Sequence, residues 1–377
     1  MALPLSLYVH LPWCVRKCPY CDFNSHPADE TLPENAYVGA LLNDLAAQAG
    51  DAAGRAIQTV FIGGGTPSLF SAQAIAALLA GIDARLPLAA DAEITLEANP
   101  GAAEAGRFAG YRAAGVNRLS IGVQSLDDAK LSALGRIHDR NEALAAVDMA
   151  RAAGFDNLNL DLMYALPQQS LREALADLDE LIALQPEHIS WYQLTLEPNT
   201  LFHRRPPPLP DDDAIGDIMD AGLDRLAANG FERYEISAFA RQSRRARHNL
   251  NYWQFGDYLG IGAGAHGKIT LPDGRIVRRV RPRHPKAYLQ WDWPASNDRG
   301  LTREELPIEF MLNALRLIEG VPAKFFAERT GLPLDAIANR LEKAFDLELL
   351  APQRDRLQPT PLGLRYLNEL LLIFETA

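Results

Sequence analysis

Near the amino terminus the chain reads Cys14-Val15-Arg16-Lys17-Cys18-Pro19-Tyr20-Cys21, a run with the spacing C-x3-C-x2-C. These are the only three cysteines among 377 residues, so a framework of disulfides is excluded. Three thiolates on one short loop can bind three irons of a four-iron cluster, because iron–sulfur centres favour soft thiolate ligands. The fourth iron then has no protein ligand and is open to a small molecule.

A structural zinc ion is the alternative occupant of this loop. Such a site normally has four protein ligands, and His10 or His26 would have to supply the fourth. We favour the iron–sulfur cluster and keep zinc as the alternative.

Length and composition narrow the class of protein. A chain of 377 residues predicts one large domain and a smaller module, and 48% apolar with 23% charged residues is typical of soluble globular proteins. The 37 Lys and Arg against 48 Asp and Glu give a net charge of −11, which argues against nucleic acid as a partner. No secretory signal or membrane-spanning stretch is evident, so a cytoplasmic protein is expected.

Strands and helices alternate up to about residue 196, which predicts parallel strands with crossover helices. The predicted strands are Leu5–Leu11, Thr59–Ile62, Glu93–Ala98, Arg118–Val123, Asn157–Met163 and His188–Leu196. The predicted helices cover residues 34–48, 71–85, 103–114, 141–153 and 170–184. We therefore expect an α/β fold, with a domain over residues 1–240.

Two further regions follow. Residues 241–300 are expected to be a largely irregular connection that contains one hairpin, Lys268–Val280, which turns at Asp273-Gly274. Residues 301–377 show helical patterns, then a short strand pair and a last helix at 361–374, which predicts a helical, winged-helix-like module. It has 9 Lys and Arg against 12 Asp and Glu, which argues against a DNA-binding surface.

Polar features follow successive strands. The cysteines come after the first strand and Gly63-Gly64-Gly65-Thr66-Pro67 after the second, while Glu97, Gln124 and Asp161 are placed at the ends of the next three. Because barrels of parallel strands bind ligands at the carboxyl ends of the strands, we expect these features to share one rim.

The cysteine spacing together with the glycine segment resembles the radical S-adenosylmethionine (SAM) enzymes. The resemblance implies a partial (β/α)6 barrel in which Cys14, Cys18 and Cys21 hold a 4Fe–4S cluster. SAM would chelate the open iron through its amino and carboxylate groups, and the glycine segment would meet the methionine end of SAM. Glycines allow such a close approach, and backbone amides there can hydrogen-bond to the ligand.

Within that superfamily the whole chain resembles the group formed by coproporphyrinogen III dehydrogenase and the HemW proteins. Leu7-Tyr8-Val9-His10-Leu11-Pro12-Trp13-Cys14 is similar to the opening motif of this group. By position, the resemblance implies SAM contacts from Tyr8, Tyr20, Gly64, Gly65, Thr66, Glu97, Gln124, Arg136 and Asp161.

The two branches of this group differ in chemistry. The dehydrogenase decarboxylates two propionates of its substrate through SAM-derived radicals, whereas HemW proteins are implicated in binding haem and passing it to acceptor proteins. Phe23 stands where the dehydrogenase has a further cysteine, and only 13 residues precede Cys14, where the dehydrogenase has a longer extension. The resemblance therefore implies a HemW-like haem chaperone, with oxygen-independent coproporphyrinogen III dehydrogenase as the alternative.

The segment 248–253 carries the H-N-x-x-Y-W motif associated with haem binding in HemW, which gives His248, Asn249, Tyr252 and Trp253 as candidate haem contacts. Histidine is a usual axial ligand of haem iron, and aromatic rings can stack on the macrocycle. The nearby guanidinium groups are candidates to pair with propionates: Arg241, Arg244, Arg245 and Arg247. A packed structural histidine beside a solvated arginine face is the alternative, and His266 and His203 compete for the iron.

The expected partners are therefore haem and a haem-acceptor protein whose identity the sequence does not give. Peripheral contact with acceptors in a membrane and a homodimer are further expectations. Residues 262–267 also match G-x-G-x-x-G, but a hairpin follows them where a dinucleotide site requires a helix, so nicotinamide binding is rejected.

Overall fold

One continuous sheet organises the structure, a computed structural model that describes residues 3–28, 31–101, 106–241, 244–291 and 298–375. In chain order the strands are β1 (Leu5–Leu11), β2 (Trp13–Cys14), β3 (His26–Pro27), β4 (Ile57–Gly64), β5 (Leu88–Ala98), β6 (Arg118–Gln124), β7 (Leu158–Tyr164), β8 (His188–Gln193), β9 (Glu232–Glu235), β10 (Ala238–Ala240), β11 (Asp257–Ile261), β12 (His266–Thr270), β13 (Ile276–Val280), β14 (Arg299–Gly300), β15 (Val321–Pro322) and β16 (Arg356–Leu357).

The helices mainly cover the outer face of this sheet and build the carboxyl-terminal part. They are α1 (Glu34–Gln48), α2 (Ala72–Asp83), α3 (Phe108–Ala113), α4 (Asp128–Ala133), α5 (Arg140–Ala152), α6 (Leu171–Ala183), α7 (Leu201–Arg204), α8 (Asp212–Ala228), α9 (Arg247–Trp253), α10 (Pro285–Leu289), α11 (Leu306–Ala314), α12 (Lys324–Thr330), α13 (Ala338–Asp346), α14 (Pro361–Arg365) and α15 (Leu367–Leu372).

Six parallel strands form the centre of the fold. In the described residues, twelve strands make one sheet in the order β14-β13-β12-β11-β1-β4-β5-β6-β7-β8-β10-β9. Strands β1, β4, β5, β6, β7 and β8 are neighbours in that order and pair in parallel. The predicted partial (β/α)6 barrel is confirmed.

The side chains of these strands alternate between two environments. On β1, Leu5, Leu7 and Val9 are fully buried in the apolar core that also contains the helices. The intervening residues Ser6 and Tyr8 point to the other face, since successive side chains of a strand lie on opposite faces. Polar side chains in alternate positions therefore line the interior of the barrel.

Local capping fixes where the crossover helices begin. Asp139 starts α5 and Ser170 starts α6, each in a capping box with a glutamate three residues later. The prediction for 34–48 matches α1 in full, and those for 141–153 and 170–184 differ from the observed helices by one residue at each end. For 103–114 the helix is observed as Phe108–Ala113, and residues 103–105 lie outside the described part.

The expectation that residues 241–300 are largely irregular was wrong. This region contains α9, β11 to β14 and α10, and β11 extends the central sheet by pairing in parallel with β1. These elements are only two to seven residues long, so they are too short to show a clear hydrophobic period. The predicted hairpin is present as β12 and β13, and Gly274 in its turn has φ of +85°.

The carboxyl-terminal part is helical, as predicted, and its Phe310 and Phe326 belong to an apolar core that also includes Tyr234 and Phe255 from the preceding regions. The predicted strand pair is present, since β15 and β16 pair antiparallel. Its first strand, β15, lies before α12, whereas the prediction placed both strands after the helices. The predicted last helix is interrupted at Tyr366. Among the described residues, none of the helices has the length and apolar character needed to cross a bilayer.

Candidate functional site

An open cleft of about 740 Å³ lies at the carboxyl ends of the parallel strands, and we call it the cysteine cleft. It is lined by the three cysteines and by every predicted SAM contact except Tyr8, that is, by Cys14, Cys18, Cys21, Tyr20, Gly64, Gly65, Thr66, Glu97, Gln124, Arg136 and Asp161. The structure thus places these residues on one rim. Asp161 lies within β7 rather than at its end.

The cysteine thiols are free and supported by hydrogen-bond donors. Thr66 Oγ1 lies 3.5 Å from Cys14 Sγ and donates to it, and Arg136 Nη1 lies 3.8 Å from Cys18 Sγ. Burial raises the pKa of the Cys14 and Cys21 thiols, and hydrogen bonds, from Thr66 to Cys14 and from the backbone of Phe23 to Cys21, oppose that shift. Three thiols on one loop with such donors fit the ligand set of an iron–sulfur cluster.

A zinc site on the cysteine loop would need His10 or His26 as its fourth ligand, and neither histidine is available at this loop. Both nitrogens of His10 are engaged, Nδ1 at 2.9 Å from the hydroxyl of Tyr8 and Nε2 at 2.8 Å from the carbonyl oxygen of Asn24. His26 lies outside the lining of the cysteine cleft, with its ring against that of His284. Neither histidine therefore completes a four-ligand zinc site with the three cysteines.

The glycine segment after β4 packs directly on the cysteine loop. Gly64 has φ of +119°, and a Cβ there would stand 2.7 Å from the His10 ring; a Cβ on Gly65 would stand 2.5 Å from the carbonyl oxygen of Trp13. The amides of Gly64, Gly65 and Thr66 donate within the protein, to Glu97 Oε2 and to two backbone carbonyls. These three hydrogen bonds hold the two loops together.

Glu97 and Asp161 are the two carboxyl groups among the described residues that line the cleft, which also has the side chains of Arg16, Lys17 and Arg136 in its walls. Burial and the neighbouring Asp161 raise the pKa of Glu97 to about 8, although the Gly64 amide opposes the shift. Burial also raises the pKa of Asp161, whose carboxylate accepts from the Asn159 amide at 2.7 Å. A cationic group beside these two carboxyls would favour their charged form and oppose the raised pKa, and the sulfonium and ammonium groups of SAM are such cations.

A polar network links the remaining side chains of the cleft. Arg136 Nη2 donates to Asn99 Oδ1 at 2.9 Å, and Asn99 Nδ2 donates to Thr66 Oγ1 at 3.1 Å. The Tyr192 hydroxyl donates to Gln124 Oε1 at 2.7 Å. Asn99 and Tyr192 were missed by the sequence analysis, although the position of Asn99, just after β5, indicates the rim.

Tyr8 lines a neighbouring cleft of about 910 Å³ rather than the cysteine cleft. We call this the aromatic cleft, because its walls include Tyr8, Phe23, Tyr252 and Tyr258, with His266 and Arg283 at its edge. Phe23, Gly64 and Glu97 line both clefts, so the two are adjacent.

The segment 248–253 lies on α9, beside the aromatic cleft. Glu93 accepts from the backbone amides of Arg247 and His248, each at 3.1 Å, and so fixes the first turn of the helix. His248 is only 4% exposed, and its Nδ1 lies 2.8 Å from Thr59 Oγ1. Burial and the charge of Arg118 lower the pKa of His248 to about 3, so its ring is neutral.

The predicted haem contacts are therefore divided among different surroundings. Tyr252 lines the aromatic cleft, whereas His248 lies behind it, with ring centroids 5.1 Å apart. Trp253 faces the carboxyl-terminal part, where the guanidinium of Arg316 lies 4.4 Å from its ring centroid. Asn249 is half-buried on the same helix.

The four arginines upstream of the motif are engaged within the chain. Their partners are the Phe231 ring for Arg241, Asp156 for Arg244, Glu232 and Glu319 for Arg245, and Asp91 for Arg247. None of these four arginines is among the described residues that line the aromatic cleft; the arginine in that lining is Arg283. The competing histidine His266 lines this cleft, and His203 lies on α7 with Nδ1 near the carbonyl oxygen of Leu196.

Comparison with known proteins gives full-length relatives. The radical SAM superfamily matches residues 8–181, and the HemN C-terminal domain matches residues 301–366. The chain is 54% identical over 371 residues to the heme chaperone HemW of Escherichia coli, with 98% of each chain covered. It is 49% identical to HemW of Haemophilus influenzae, covering 99% of this chain and 98% of the relative.

The chain belongs to the HemW family of radical SAM proteins.

Two more distant proteins, one compared by sequence and one by structure, are also similar to this chain. HemW of Bacillus subtilis is 35% identical, with 88% of each chain covered. The solved structure of coproporphyrinogen III oxidase (HemN) from Escherichia coli has a TM-score of 0.83 and 24% identity, and covers 100% of this chain and 91% of its own. That likeness shows the fold: a radical SAM barrel followed by a helical part, here in a HemW-family chain.

Proposed function

We propose that this HemW-family chain is a haem chaperone that binds haem beside α9 and transfers it to an acceptor protein. The observation that carries the proposal is the match, over nearly the full length, to relatives named heme chaperones at up to 54% identity. Tyr252, from the motif at residues 248–253, offers an aromatic wall to an open cleft, which agrees with binding of a planar macrocycle.

The proposal includes a 4Fe–4S cluster on Cys14, Cys18 and Cys21. When bound, the cluster supplies an iron that lacks a protein ligand and is open to chelation by SAM. Thr66 and Arg136 donate to the sulfurs, and the carboxyl groups of Glu97 and Asp161 favour the cationic groups of SAM. The other proposed SAM contacts, given by position in the family, are Tyr8, Tyr20, Gly64, Gly65 and Gln124.

Several finer points stay predictions under this proposal. They are the domain boundaries at 240/241 and 300/301, the cytoplasmic location, a homodimer, and peripheral contact with acceptors in a membrane. Nucleic acid is not expected as a partner, given the net charge of −11.

The experiment that tests the function compares two activities of one anaerobic, cluster-reconstituted preparation. In one sample the protein receives coproporphyrinogen III, SAM and a one-electron reductant, and the tetrapyrroles are separated by chromatography. In the other the haem-loaded protein, freed of excess haem, is analysed for bound haem. A haem chaperone retains haem and forms no vinyl-bearing product. Formation of protoporphyrinogen without retention of haem would establish the dehydrogenase instead.

A further inference from the structure

The aromatic cleft offers a flat apolar wall for a planar ligand. Tyr252 and Tyr258 stack on one another, with ring centroids 4.0 Å apart and an interplanar angle of 25°. Tyr8 and the exposed Phe23 add further ring surface. The volume of about 910 Å³, which includes the open mouth, lies in the range of sites for cofactors and drug-sized ligands. The cleft can therefore hold a tetrapyrrole edge or face against tyrosine rings.

Three histidines compete for an iron at this cleft, and the structure distinguishes them. His248 is buried behind Tyr252, with Nδ1 close to Thr59, and does not line the cleft. His10 lines the cleft, but hydrogen-bond partners engage both of its nitrogens. His266 lines the cleft and is exposed, and its ring has no hydrogen-bond partner among the described residues. Its imidazole is available to a metal.

The surroundings of His266 also suit a ligand that carries carboxylates. Burial and the charges of Arg278 and Arg283 lower the pKa of His266, so its ring is neutral at pH 7 and has a lone pair to donate. Arg278 is engaged by Glu309 and Tyr258. Arg283 is exposed and forms no ion pair within the part of the chain that the structure describes. Its guanidinium is available to a carboxylate at the mouth of the cleft.

We infer that the aromatic cleft is the haem site of this chain, with His266 as an axial ligand of the iron and Arg283 as the partner of a propionate. The inference rests on the proposed haem-chaperone function and deepens it. The iron–imidazole bond forms from the lone pair of His266 without any change of oxidation state. His248 is then a positioning residue, because it packs between Phe61 and Tyr252, with ring centroids 5.1 Å away on each side.

The test is an anaerobic titration of ferric haem into the cluster-reconstituted, full-length protein, followed by absorption and electron paramagnetic resonance spectra. The variants are His266→Ala and His266→Met, and the matched control is His203→Ala, which removes another exposed histidine. We expect His266→Ala to weaken binding by more than about tenfold, as loss of groups at metal sites does, and added imidazole to restore the spectrum. His266→Met should bind haem with an altered axial-ligand spectrum, and His203→Ala should match the parent.

Two results separate the inference from the function on which it rests. If the parent protein binds haem and both His266 variants keep its affinity and spectrum, His266 is not the ligand and the inference is overturned while the function stands. If the parent protein binds no haem, the proposed function itself fails. An unchanged affinity in Arg283→Gln would overturn the assignment of the propionate partner.

Discussion

At the scale of single residues, Gly65 shows how closely the two loops of the cysteine cleft approach. A Cβ at this position would stand 2.5 Å from the backbone oxygen of Trp13, and a backbone atom cannot move aside as a flexible side chain can. We expect Gly65→Ala to lower the free energy of unfolding by about 1–3 kcal/mol, as overpacking does. Urea denaturation of the metal-free protein measures it.

Gly216 provides the matched control for that change. It lies inside α8, and a Cβ there would meet no atom within 4 Å. Gly216→Ala should raise the free energy of unfolding by about 0.5–1 kcal/mol, because alanine is the better helix former. Equal effects of the two substitutions would contradict the claim that Gly65 is required by close packing.

Glu97 makes stability depend on pH. Its pKa is about 8 in the folded chain and near 4.5 in the unfolded chain, so between these values the folded state binds more protons. The free energy of unfolding therefore falls as pH rises through this window, by at most about 1.4 kcal/mol per pH unit for one group. A glutamine at this position does not titrate, so the Glu97→Gln variant lacks this fall in the free energy of unfolding. The free energy of unfolding of the variant minus that of the parent should therefore increase from pH 5 to pH 8.

The measurement is urea denaturation of the cluster-free protein under anaerobic conditions at several pH values. Glu304→Gln is the control, because Glu304 is exposed and its substitution should leave the pH dependence unchanged. A constant difference between Glu97→Gln and the parent would show that Glu97 is not buried as described.

At the scale of elements, the first turn of helix α9 is held by a buried carboxylate, that of Glu93 on strand β5. The two oxygens of Glu93 each accept one backbone amide of the first turn. Glu93→Gln leaves only one acceptor oxygen and turns an NH2 group toward the second amide. We expect a loss of about 1–3 kcal/mol in the free energy of unfolding, the usual cost of an unsatisfied buried group, and weaker haem binding because α9 carries Tyr252.

Asp91→Asn is the control for the Glu93 prediction. Asp91 pairs with the same arginine, Arg247, but its side chain is 78% exposed, and exposed ion pairs contribute about 0–1 kcal/mol. A loss from Asp91→Asn as large as that from Glu93→Gln would contradict the role given to Glu93.

The elements also show what can be predicted from sequence. Helix α1 has the predicted bounds, because it is fifteen residues long and its buried positions recur at helical spacing: Tyr37, Val38, Leu41, Asp44, Leu45 and Gln48. Helix α9 and strand β11 were missed. Each is seven residues or fewer, and tertiary contacts hold each in place: Glu93 for the helix and β1 for the strand. Local patterns do not contain such contacts.

In the candidate site too, some residues could be predicted from local sequence and others are brought in only by the tertiary structure. The spacing identified the three cysteines, and the family resemblance added the glycine segment; each is a short continuous stretch of the chain. Asn99 follows β5 and Tyr192 lies on β8, and only the folded sheet brings the two residues to the same rim. The cleft that joins Tyr8, Tyr252 and His266 depends on residues more than 240 positions apart, so no local motif indicates it.

At the scale of the whole molecule, metal content distinguishes the two interpretations of the cysteine loop. Anaerobic reconstitution of the full chain should give about four irons and no zinc per chain, because three thiolates can hold three irons of a four-iron cluster. Elemental analysis measures both metals, and Cys18→Ser should lower the iron content. Stoichiometric zinc in place of iron would contradict the cluster.

Haem binding by the whole molecule is measured by a spectroscopic haem titration of the cluster-reconstituted chain under anaerobic conditions. A haem chaperone should saturate near one haem per chain, with a spectrum that shows a protein-derived axial ligand. Absorbance that rises without saturation and matches free haem would show that the chain is not a haem chaperone.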